Sequence, residues 1–91
     1  MMQKRAVVSV VGKDQVGIIA KVTTILADNK VNISDISQTI LQDFFTMIMI
    51  IDINDPNKLS ELKQKFEPVE KDLGLKINIQ LEDVFQAIHR V

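Results

Sequence analysis

Two stretches of this chain are apolar on consecutive residues rather than alternate ones, the pattern of strands covered on both faces. The first, Ala6-Val7-Val8-Ser9-Val10-Val11, is dominated by β-branched side chains and closed by Gly12. The second, Phe44-Phe45-Thr46-Met47-Ile48-Met49-Ile50-Ile51, is the most apolar segment of the sequence. Both are expected in the middle of one sheet, and the rest of the chain has to supply what flanks and covers them.

The flanking segments carry other periodicities. After the polar turn Gly12-Lys13-Asp14-Gln15, the residues Ile18, Ile19, Val22, Ile25 and Leu26 recur at helical spacing, predicting an amphipathic helix that ends near Asn29. Asn32 to Leu41 alternates raggedly, which predicts a half-exposed edge strand with a bulge. Gln42-Asp43 is a two-residue turn without glycine. Beyond Asp55-Pro56-Asn57, the positions Leu59, Leu62, Phe66, Val69 and Leu73 mark a second helix, which Pro68 should kink or split and Gly74 should close. Leu75, Ile77, Ile79 and Leu81 alternate with Lys76, Asn78 and Gln80, a strand with one buried face. Val84, Phe85, Ile88 and Val91 form a short C-terminal helical stripe over 83–91. The order βαββαβ predicts an α+β, ferredoxin-like sandwich: a four-stranded antiparallel sheet with two helices on one face. Since the two apolar strands would leave a second apolar face, a dimer or the C-terminal helix is expected to cover it.

Composition narrows the function. Ninety-one residues suit a single domain, 1–91, with its core in 4–81. Eleven basic against twelve acidic residues give a formal net charge of −1, so neither nucleic acid nor an anionic membrane is expected as a partner. Without cysteine, and with His89 as its one histidine, the chain is expected to hold no metal site and to need no cofactor. The N-terminal apolar run is too short for a signal peptide or a membrane span, which predicts a cytoplasmic protein. Asp35, Asp52 and Asp55 are too scattered to assemble an acid–base pair, so no enzyme is expected.

The segment Gly12-Lys13-Asp14-Gln15-Val16-Gly17-Ile18-Ile19 joins a strand to a helix start, where unpaired backbone N–H groups and the helix dipole attract an anion such as a carboxylate. It is not a phosphate-binding loop of the Walker type, because Ile18-Ile19 stand where lysine and a hydroxyl residue are required. Asp14 is open to two roles, orienting a ligand amine or capping the helix. Gly12 and Gly17 serve either a ligand or local geometry, whether positive φ or close packing. Asn32 either hydrogen-bonds a ligand or caps its own turn. Phe44 and Phe45, with no basic neighbours, are expected in the core rather than in a nucleic-acid stack, and Met47 and Met49 as core filler or interface.

Val10-Val11-Gly12-Lys13-Asp14-Gln15-Val16-Gly17-Ile18-Ile19-Ala20, with Val31-Asn32-Ile33 and Asp35-Ile36-Ser37-Gln38-Thr39, resembles an ACT domain from about Lys4 to Leu81. The run Asp35 to Leu41 and Phe45-Thr46-Met47 more closely resembles the stand-alone ACT proteins grouped as UPF0237, and is similar to the ACT half of the glycine cleavage regulator. The resemblance implies binding of an amino acid or another small effector between two copies of the chain. It implies ligand-binding positions at Gly12, Asp14, Val16, Gly17, Ile18, Asn32 and Ile33, and a homodimer or higher homo-oligomer. Most ACT domains are fused to an enzyme or a DNA-binding module, whereas 91 residues leave no room for either. The alternative is a ligand-free module that docks on another protein through an apolar sheet face or the Met-rich strand.

Overall fold

The computed structural model describes residues 4–55 and 57–84 of the chain. Its elements run β1 (Lys4–Lys13), α1 (Ile18–Asp28), β2 (Ile33–Leu41), β3 (Phe44–Ile53), α2 (Asn57–Leu73) and β4 (Lys76–Leu81). The strands form one antiparallel sheet in the order β2-β3-β1-β4, so the two continuously apolar strands are the central ones. This is the ferredoxin-like βαββαβ arrangement. The turn between β2 and β3 works without glycine because Gln42 itself takes the left-handed conformation, at φ 56°. The ragged pattern of β2 corresponds to a register shift between Ile33 and Asp35.

The register explains the core. Ala6, Val8 and Val10 stand opposite Ile51, Met49 and Met47, and these six side chains are fully buried. Ile18, Val22 and Leu26 of α1 and Leu62, Phe66 and Val69 of α2 join the same cluster, so both helices lie on this face. Met47 and Met49 are therefore core filler, and Phe45 packs beside them.

Several expectations need correction. On the side away from the helices the described residues cover the central strands only in part: Val7 is buried, whereas Val11 and Ile48 are exposed. Phe44 is not a core residue but 63% exposed, because alternation along β3 turns it to the same face as Ile48, away from the helices, at the hairpin end of the sheet opposite Lys13. Gly12 does not end β1; it pairs with Phe45 and the strand continues to Lys13. Helix α2 runs through Pro68 without splitting. Proline deprives the carbonyl four residues earlier of its partner, and here both Gln64 and Pro68 are exposed, so that carbonyl is open to solvent rather than stranded in the core. Gly74, at φ 65°, closes the helix as expected. Residues 82–84 open a helical turn, while the rest of the expected C-terminal helix, with Phe85, Ile88, His89 and Val91, lies outside the described residues.

Candidate functional site

The connection from β1 to α1 is built around a bare helix start. Lys13 is the last residue of β1, and the Asp14 N–H donates to the Asp43 carbonyl at 2.7 Å, fixing the loop to the β2–β3 turn. Gly17 then takes the left-handed conformation (φ 96°, ψ −2°) and occupies the N-cap position. Its carbonyl accepts the first helical hydrogen bond, from the Lys21 N–H at 3.0 Å. The N–H groups of Ile18, Ile19 and Ala20 precede that bond, and no side chain caps them and no acidic residue stands in the first turn. Asp14 is thus not the helix cap. It lies three residues before Gly17, and the cap position is held by a residue with no side chain.

Gly12, Asp14, Val16, Gly17 and Ile18 come together in this loop. The Asp14 carboxylate is exposed, and the Val16 side chain is 98% exposed, an unusual place for valine. Ile18 differs: its side chain belongs to the core, so only its N–H faces outward chemistry. Asn32 and Ile33 are elsewhere. Asn32 accepts the Asp52 N–H at its carbonyl (3.0 Å) and donates from Nδ2 to Asp52 Oδ2 (2.8 Å). Asp52 pairs with Arg5, at the start of β1, whereas Gly12 pairs with Phe45 at its other end. The two halves of the expected site are thus about 23 Å apart along the sheet, the rise of roughly seven strand residues.

A family model described as the ACT domain matches residues 4–80. The chain belongs to the ACT domain family. A UPF0237 protein of Methanococcus maripaludis is 46% identical over 97% of this chain and 99% of its own length. Another UPF0237 protein, of Clostridium perfringens, is 49% identical over 94% of this chain and 98% of its own length. Among solved structures, an ACT domain protein from Streptococcus pneumoniae superposes with a TM-score of 0.77 at 38% identity, covering 91% of this chain and 94% of that one. ACT domains are a regulatory, ligand-binding family.

Among the described residues no group of three or more His, Asp or Glu side chains is placed to hold a metal ion. No helix among them is long and apolar enough to cross a membrane. Surface grooves among the described residues include one of about 330 Å³ between α2 and β4, one of about 300 Å³ that runs along α1 from Ala20 to Ile25 against Val69, and one of about 250 Å³ on the sheet face that carries Val7, Val11 and Ile48. The sequence reading missed two residues of the loop's framework, Gln15 and Asp43. Gln15 donates from Nε2 to the carbonyls of Lys13 (3.1 Å) and Leu73 (2.7 Å), and only the tertiary position of Leu73 reveals that bond.

Proposed function

We propose that this chain is an effector-binding regulatory domain that works as a homo-oligomer, with an amino acid as its ligand. The observation that carries this reading is the uncapped start of α1. Three N–H groups at the positive end of a helix have no side-chain cap among the described residues, and an amino-acid carboxylate would supply the acceptor. The Asp14 carboxylate, free of capping duty, stands in the same loop to meet the ligand's ammonium group.

The distance between the two half-sites supports a second copy. Strand β2 is an edge of the sheet and is exposed along nearly its whole length. A second β2 paired antiparallel to it brings its Asn32 and Ile33 to the Leu41 end of the first. That is the end where the Asp43 carbonyl holds Asp14. Two loops and two strand starts then form two equivalent pockets about a two-fold axis. Ligand binding would favour one arrangement of the two copies, a coupling free energy rather than a reaction.

The test is a dye-based thermal shift of the purified chain against the twenty amino acids, since it contains neither Trp nor Tyr to report by intrinsic fluorescence. A ligand at one hundred times its dissociation constant adds about 2.7 kcal/mol, which is about 10 °C or more in a domain this small. A selective shift is the expected result. A flat panel overturns the sensor reading and favours a protein-interaction module, for which exposed Ile40, Leu41 and Phe44 supply the apolar surface.

A further inference from the structure

Gln15 is exposed and lies between the two glycines of the loop, yet its side chain is spent inside the molecule. One amide group reaches two backbone carbonyls, Lys13 at 3.1 Å within the loop and Leu73 at 2.7 Å at the last residue of α2. The Leu73 carbonyl is one of the four that a helix leaves unpaired at its C-terminus, so the bond serves both ends. A second contact joins the same two elements: Gly12 approaches Leu75 and the Gly74 carbonyl so closely that a Cβ would stand 2.5 Å from Leu75 Cδ2 and 3.4 Å from that oxygen. A third, the Asp14 N–H on the Asp43 carbonyl, holds the loop to the β2–β3 turn. The segment before α1 is therefore pinned on two sides, and Gln15 is its one side-chain fastening recorded among the described residues.

We propose that Gln15 is a positioning residue: it clamps the β1–α1 loop to the end of α2 and thereby sets the direction of the N–H groups of Ile18, Ile19 and Ala20. This rests on the reading of those groups as the carboxylate site. The chemistry needed at position 15 is specific. Both partners are carbonyl oxygens, so the side chain has to donate, and it has to be long enough to reach Leu73. Glutamate has the same length and shape but brings a carboxylate against two carbonyls. Lysine keeps a donor, and its positive charge suits a helix C-terminus. A loop ordered before its ligand arrives loses less freedom on binding, which is how a residue that never touches the ligand raises affinity. Linkage makes the effect mutual, so whatever fixes the loop also tightens the end of α2.

Amide hydrogen exchange on the full chain, read by NMR without any ligand, tests the clamp. The reporters are the N–H groups of Asp14 and Lys21 on the loop side and of Leu75, bonded to the Glu70 carbonyl at 3.0 Å, on the α2 side. In Gln15→Glu all three are expected to exchange roughly threefold to tenfold faster than in the wild type, the range one lost hydrogen bond commands. In Gln15→Lys they are expected to stay within about twofold, a rescue that depends on the donor and not on shape. The central-strand amide of Val8 serves as the control for global stability. Unchanged exchange at Asp14 and Lys21 in Gln15→Glu overturns the clamp, as does equal acceleration in Gln15→Lys. The amino-acid panel separates the two ideas. A flat panel beside accelerated exchange defeats the carboxylate site and with it the positioning role. A selective hit beside unchanged exchange keeps the site and defeats Gln15 alone.

Discussion

Gly12 lies against Leu75, and a Cβ on the glycine would stand 2.5 Å from Leu75 Cδ2. The φ of Gly12 is not in the positive region, so its role is the close approach of β1 to the chain leaving α2. Gly12→Ala is expected to destabilise the fold by about 1–3 kcal/mol through overpacking. The same substitution in a Leu75→Ala background should cost much less, because the obstructing methyl is gone. A double-mutant cycle by urea denaturation measures that coupling.

Gly17 presents the opposite case. No atom lies within 4 Å of where its Cβ would be, but its φ of 96° is one that L side chains rarely adopt. Gly17→Ala is expected to lose about 1–2 kcal/mol with no steric clash, and Gly17→Asn less, since asparagine enters the left-handed region more readily. A bulky residue here would therefore lower stability as well as obstruct the loop, so ligand affinity has to be compared between variants at temperatures where each is fully folded. Thermal denaturation of the three proteins checks the order Gly17, then Asn, then Ala.

The contrast between these glycines shows where sequence reasoning stops. The topology was legible because each element carries its own periodicity: continuous in β1 and β3, helical in α1 and α2, alternating in β4. The bulge in β2 was legible as a break in alternation. The helix cap was not, because aspartate's preference for capping applies wherever the helix starts, and that point is set by Ile18 entering the core behind a left-handed glycine. Phe44 was misplaced because a run that is apolar on consecutive residues hides the alternation that puts Phe44, with Thr46 and Ile48, on the face of the sheet away from the helices. Nor could spacing show that Asn32 and Asp14 lie at opposite ends of the sheet, a consequence of β2 running in the same direction as β1.

Glu70 carries out a local task at the free edge of β4. Its Oε2 accepts the Ile77 N–H at 2.9 Å, and its own carbonyl accepts the Leu75 N–H. A half-buried carboxylate thus replaces the neighbouring strand that an edge lacks, which discourages another chain from pairing there. Glu70→Ala is expected to cost about 1–3 kcal/mol by leaving that donor unpaired, and Glu70→Gln less, because the amide oxygen still accepts. Chemical denaturation gives the stabilities, and exchange at the Ile77 amide shows whether the lost partner is the cause.

The other edge, β2, is armed differently. Ile36 and Ile40 lie on its helix-facing side, in register with core residues Met49 and Phe45, yet they are 45% and 54% exposed. In one chain, water meets them, so their replacement by lysine should change the stability of the isolated fold by no more than about 0.5 kcal/mol. If β2 pairs with a second β2 as proposed, the same two side chains enter an apolar layer between the copies, and lysines there meet each other's charge. The wild-type chain is expected to sediment as a dimer and Ile36→Lys/Ile40→Lys as a monomer with unchanged circular dichroism. The double variant should also lose its thermal response to any amino acid that stabilises the wild type, since Asn32 and Ile33 of one copy would no longer reach the loop of the other. A variant that stays dimeric and keeps that response would place the interface, and with it the second half of the site, away from β2.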